Sequence, residues 1–78
     1  MLRKSLLGLI EVSRSTKVAL SVASYEVHDY EDSSYTELRL NKVVDVAKLA
    51  RLTKGFEVNI YADSGQIIIR IHENYQQD

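Results

Sequence analysis

Hydrophobic and polar positions alternate most regularly in the second half of the chain. Phe56, Val58, Ile60 and Ala62 point one way and Glu57, Asn59 and Tyr61 the other. From Gln66 to His72, Ile67, Ile69 and Ile71 share one side, while Ile68 sits on the opposite side with Gln66, Arg70 and His72. A period of two predicts a pair of half-buried strands, and Asp63-Ser64-Gly65 between them predicts a tight turn with glycine at positive φ. An isoleucine on the polar side hints at an outer face covered by a partner, although a single exposed isoleucine is ordinary.

Upstream the period lengthens. Val43, Val46, Ala47 and Ala50, widened by Leu49, fall on one side of a segment from Val43 to Thr53, with Lys42, Asp45, Lys48 and Arg51 in a polar row. This predicts an amphipathic helix lying on a sheet. Asn41, or Asp45 if a strand persists through Val43-Val44, supplies the N-cap oxygen, and Lys54-Gly55 suits the negative, left-handed end.

The first half is less clearly punctuated. Leu2, Leu6, Leu9 and Ile10 fall at helical spacing, while Leu6 to Val12 is apolar enough for a strand and Gly8 weakens a helix. The spacing favours a short N-terminal helix. Ser13-Arg14-Ser15-Thr16 reads as a loop. Val18, Leu20 and Val22 then alternate with Lys17, Ala19 and Ser21, and Tyr25 and Val27 continue out of phase. A bulge near Ala23-Ser24 would reconcile the two halves of such a strand. Asp29 to Ser34 reads as a hairpin loop, and Thr36, Leu38 and Leu40 alternating with Tyr35, Glu37 and Arg39 as the strand that follows.

At 78 residues the chain is expected to be one domain, residues 1–78, with an N-terminal segment over residues 1–16 and a polar tail over residues 73–78. A chain this short buries only about 60% of its unfolded surface. It contains no cysteine, so disulfide staples are excluded, and oligomerisation is the remaining staple. With no proline, turns depend on Gly, Asn, Asp and Ser. The start, Met1-Leu2-Arg3-Lys4 before Ser5 to Ile10, resembles a signal peptide, but Glu11 ends the apolar run and no small-residue cleavage site follows. No run reaches the length of a membrane span. A cytoplasmic protein without a membrane partner is the expectation.

Net charge is −1, which gives no global case for nucleic acid. Its distribution is uneven. Glu26, Asp29, Glu31, Asp32 and Glu37 lie in a stretch without Lys or Arg, whereas Lys42, Lys48, Arg51 and Lys54 face only Asp45. These are either two solvated patches or a basic binding face beside an acidic loop. The five tyrosines, Tyr25, Tyr30, Tyr35, Tyr61 and Tyr75, suit interfaces as much as strands.

Catalytic chemistry finds no constellation. His28 with Asp29, Glu31 and Asp32 could be drawn as a hard-metal site, but a flexible acidic loop with one histidine is more often solvated. His72 pairs with no nucleophile, and Gly8, Gly55 and Gly65 are too scattered for a phosphate loop. The sequence therefore predicts no catalytic residue, metal, cofactor or small-molecule substrate.

The order strand, strand, short helix, strand, strand resembles the AbrB and MazE-type regulators and antitoxins. The likeness is carried by Lys54-Gly55-Phe56-Glu57-Val58-Asn59-Ile60-Tyr61-Ala62-Asp63-Ser64-Gly65-Gln66-Ile67-Ile68-Ile69-Arg70, and by Leu38-Arg39-Leu40-Asn41 at a position where that family has a hydrophobic-Arg-Ile-Pro pattern. It spans about half the chain. Asn41 replaces the family proline, no glycine closes the helix before Gly55, and about thirty residues precede the match. The resemblance implies interleaved hairpins in a shared barrel, with Arg39 at DNA. Ala47 to Phe56 is also similar to the first helix of HPr phosphocarriers, but the positions before it, Asn41 and Lys42, cannot carry that family's phosphohistidine chemistry.

The expected fold is thus α+β: a small curled antiparallel β-β-α-β-β sheet or barrel with one amphipathic helix and a short N-terminal helix, in an intertwined homo-oligomer. The expected function is non-enzymatic binding. A DNA-binding transcriptional regulator or antitoxin would use Arg39, Lys42, Lys48 and Arg51. A protein-binding inhibitor or adaptor, of the kind carried by phages and mobile elements, would instead use Tyr30, Glu31, Asp32 and Tyr35.

Overall fold

The computed structural model describes residues 4–22, 24–30 and 33–73. Helix α1 spans Lys4–Ala19, strand β1 Tyr25–Asp29, β2 Ser34–Leu40, helix α2 Val46–Leu52, β3 Glu57–Asp63 and β4 Gln66–His72. The four strands form one antiparallel sheet in the order β1-β2-β4-β3, so two hairpins lie side by side with their second strands adjacent. The fold is α+β with two helices, and of the two expected alternatives, sheet or barrel, it is the open sheet; the closed barrel that the resemblance implied is not formed.

The largest correction concerns residues 4–22. Instead of a short helix, a loop at Ser13 to Thr16 and a strand from Lys17 to Val22, the chain forms a 16-residue helix. Its inward stripe runs Leu6, Leu9, Ser13 and Thr16, all buried, with Leu20 packed against the core just beyond its end. The spacing is helical throughout, but its middle is polar. Both hydroxyls are satisfied within the helix: Ser13 Oγ donates to the Leu9 carbonyl at 2.7 Å and Thr16 Oγ1 to Val12 at 2.7 Å. Such back-bonding satisfies a buried hydroxyl within its own helix.

The alternation at Lys17 to Val22 belongs to the end of this helix. Ser21 N donates to Val18 O at 3.1 Å and Val22 N to Lys17 O at 2.8 Å, with Ser21 at φ 58°. This is a Schellman cap with serine at the left-handed position glycine usually fills. Val22, the next residue, is buried in the core. The bulge expected at Ala23-Ser24 falls partly on Ala23, which lies outside the described residues.

The core joins Leu6 and Leu9 of α1, Val22, Leu38 and Leu40 of β2, Leu49 of α2, and Ile69 and Ile71 of β4. Strand alternation therefore puts the helices on one face and turns Tyr35, Glu37, Arg39, Ile68, Arg70 and His72 to the other. At the centre of the helix-facing side, Ser13 Oγ lies 2.6 Å from Thr36 Oγ1 on β2, and both residues are fully buried. Because the single Ser13 proton goes to Leu9, the Thr36 hydroxyl is the donor in this contact.

Helix α2 is shorter than expected and docks differently. Asp45, the second of the two candidate caps, accepts from Lys48 N at 3.1 Å. Val43 and Val46 are 91% and 62% exposed, and Leu49 is the residue that enters the core. The helix packs against α1 and does not lie on the sheet. The closing hairpin follows the predicted turn, with Ser64 at φ 54° and Gly65 at φ 79°. Two successive positive φ values match the right-handed strand twist. Among the described residues no helix is long and apolar enough to cross a membrane.

The proton accounting at Ser13 and Thr36 predicts an asymmetry. Ser13→Ala strands a buried donor and should cost about 1–3 kcal/mol in urea unfolding. Thr36→Val removes that donor and keeps the shape, so it should cost less, and the double variant should match Thr36→Val. Equal losses for the two single variants would show that Thr36 is not the donor. Ser21→Gly should raise stability by roughly 0.5–1 kcal/mol, because glycine adopts the left-handed position without steric cost.

Candidate functional site: the open face of the sheet

The pairing register sets the residues of the open face in rows. Glu26, Glu37, Arg70 and Asn59 lie across the four strands in one row, and His28, Tyr35, His72 and Glu57 in the next. Arg39, Ile68 and Tyr61 form the row on the other side, and Ser24, just before β1, lines one cleft with Arg39. No helix covers this face among the described residues.

Glu37 is its centre, with its side chain only 8% exposed. Arg70 Nε donates to Glu37 Oε2 at 3.1 Å, Arg39 approaches Oε1 at 3.5 Å, and the Tyr61 hydroxyl makes a longer contact to Oε2 at 3.5 Å. Burial pushes the Glu37 pKa up, but the Arg70 hydrogen bond and the Arg39 and Arg70 charges outweigh it and hold the carboxyl below its ordinary value. The Arg70 guanidinium lies 4.9 Å from the Tyr35 ring centre and 5.3 Å from that of Tyr61. One cation is thus bracketed by two aromatic faces.

Tyr35 anchors the other side. Its ring stacks on His28 at 4.8 Å, meets His72 at 5.4 Å and lies 6.3 Å from Tyr30. Burial pushes its phenol above the ordinary value, with the Arg70 charge pulling against it. His72 Nε2 is 2.7 Å from Asn59 Oδ1. Ile68 is fully buried on this face, flanked across the strands by Arg39 and Tyr61. It therefore needs no partner to cover it.

The donor atoms of Glu26, His28 and Glu37 lie within 4.8 Å of one another, and His28 Nε2 is shielded from solvent without a hydrogen bond, 3.5 Å from Glu26. The spacing alone would admit a divalent cation. The two guanidiniums on Glu37 oppose it, since they already supply the positive charge that its carboxylate attracts.

The structure separates the residues expected to meet DNA. Arg39 is on the open face, held by Glu37, Gln66 at 3.4 Å and Asp63 at 3.9 Å. Lys48 and Arg51 are on α2, on the helix side, and the Lys48 ammonium donates to the Ala19 carbonyl at 3.2 Å. Lys42 is exposed and lines one cleft with Arg39, Ser21 and Leu40. Of the residues expected to meet protein, Tyr30 and Tyr35 are neighbours, whereas Glu31 and Asp32 lie outside the described residues. Sequence reasoning missed Glu37, Tyr61, Arg70, His28, His72 and Asn59 as a group. Their signal was present in the outward phase of each strand, but only the adjacency of β2 and β4 assembles it.

Comparison with known protein families, curated proteins and solved structures finds no match for this chain.

The depressed Glu37 pKa sets a pH dependence. Its contribution to stability is present above the unfolded carboxyl value near 4.5 and is lost as pH falls through the lower folded value. Glu37→Gln should remove this component, so acid titration of unfolding free energy should be shallower below that point. An identical slope in the variant would show that Glu37 is not the group responsible.

Proposed function

We propose that the protein is a non-enzymatic protein-binding module whose contact surface is the open face of its sheet. The observation that carries this reading is the array Tyr35–Arg70–Tyr61 held over the buried Glu37 carboxylate. Tyrosine and arginine are the residue types that most often anchor protein interfaces, and fixing their rotamers beforehand reduces the entropy lost on binding. Tyr30 and Tyr61 are 53% and 40% exposed, so a partner would bury a substantial aromatic area.

Charge points to the kind of partner. The face carries Glu26, Glu37, Glu57 and Asp63 against Arg39 and Arg70, and both arginines pair with Glu37. A polyanion would find little free cation here, whereas a protein surface bearing Lys or Arg would be attracted and steered. This favours the inhibitor or adaptor reading, with the contact moved from the loop onto the sheet.

One observation favours the second reading, a DNA-binding regulator or antitoxin of AbrB/MazE type acting as a homo-oligomer. Arg39 and Lys42 line the same cleft, and the exposed Arg51 adds a further cation on α2. In that case Lys42→Glu with Arg51→Glu should weaken DNA binding and flatten its salt dependence.

Affinity capture from nuclease-treated and untreated lysate separates the two. We expect a protein that survives nuclease treatment and is lost, or reduced about tenfold or more, with the Tyr30→Ala/Tyr61→Ala variant, which removes two exposed anchors. Retention abolished by nuclease and indifferent to the tyrosines would sink the protein-binding reading.

A further inference from the structure

The outer side of α1 points to a second interface. Leu7, Glu11, Arg14 and Val18 succeed one another by four, three and four residues, which places them on one stripe directly opposite the buried Leu6, Leu9, Ser13 and Thr16. All four are exposed, Leu7 at 48% and Val18 at 76%. Neither Glu11 nor Arg14 makes an ion pair among the described residues.

The order along the stripe is apolar, acidic, basic, apolar. Turned end for end, the same stripe reads apolar, basic, acidic, apolar, so it is complementary to itself in an antiparallel arrangement. A two-fold axis beside Val12 and Ser13 sets Leu7 against Val18 of a second copy and Glu11 against its Arg14, and each contact occurs twice. A parallel pair would set like charges side by side. Beside the stripe runs an open groove lined by Gly8, Val12, Ser15, Leu52 and Phe56 together with Glu11 and Arg14. Gly8 admits the Phe56 ring, whose Cζ lies 3.9 Å from where a Cβ on Gly8 would stand, and Leu52 and Phe56 form the groove's far wall.

We propose that this stripe and groove are the dimer interface of the protein, and that the occupant is α1 of a second copy packed antiparallel. Charge complementarity selects a second copy, because the stripe matches its own reverse. The helix is about 24 Å long, so two copies packed antiparallel could meet over roughly four turns. This surface is on the opposite side of the molecule from the open sheet face and does not depend on what that face binds.

Sedimentation equilibrium of the full chain, from micromolar to several hundred micromolar, tests the proposal. Wild type should be a reversible dimer that weakens as salt is raised. Glu11→Arg and Arg14→Glu each replace both attractive pairs by repulsive ones, and each should raise the dissociation constant about tenfold or more. The double reversal Glu11→Arg/Arg14→Glu restores opposite charges across the axis and should recover the dimer. Circular dichroism of each variant checks that exposed substitutions leave the fold intact. A wild type that stays monomeric over the whole range, a dimer indifferent to the single reversals, or a double variant that fails to recover would each overturn the proposal.

Discussion

The structure depends on how α1 is seated on the sheet. Leu6 and Leu9 drive the helix down by apolar burial, but burial is non-directional and leaves rotation and sliding free. The Ser13–Thr36 hydroxyl contact removes that freedom, because a buried polar pair is satisfied in one position and unsatisfied in its neighbours. Seated in this register, the helix covers Leu38, Leu40, Ile69 and Ile71 and supports α2 through Leu49. It also determines which face of the sheet is left open.

Two elements show why part of this fold was legible from sequence and part was not. The closing hairpin could be read because strict alternation and a Ser-Gly turn at positive φ point to the same register. The Asp45 cap was legible for a similar reason, since only it and Asn41 offered an oxygen at the required place. Helix α1 was obscured because its inward stripe is half hydroxyl. Ser13 and Thr16 read as loop residues unless the chain is known to satisfy them internally, and Lys17 to Val22 imitates a strand where a helix is ending in a Schellman cap. The open-face cluster was hidden by topology. Glu37 and Arg70 are 33 residues apart, and no local pattern says that β2 lies beside β4.

Glu37 then bears on what that face, as the proposed contact surface, could recognise. A buried carboxylate is costly unless its charge is balanced, and two arginines balance this one. The same pairing occupies part of each guanidinium and sets that of Arg70 between two tyrosine rings. Arg39 on β2 is thereby tied to Glu37 while its side chain stays 46% exposed. Beside these arginines lie tyrosine rings bordered by acids, an arrangement that would suit the proposed protein partner better than a flexible polyanion.

The two proposed surfaces lie on opposite sides of the molecule, and this sets what the proposed dimer could do. Packing two copies through α1 gives the layer order sheet, helix, helix, sheet, so the open faces point away from each other. One partner molecule with a single epitope cannot reach both, and dimerisation then gives it no gain in effective concentration. Such a partner would bind once per chain, two to a dimer, with the affinity of the single face. A partner that is itself repeated or multimeric differs, because each dimer could bridge two of its copies. The α1 contact would then decide between a simple inhibitor that occupies one surface and a cross-linking adaptor that joins two.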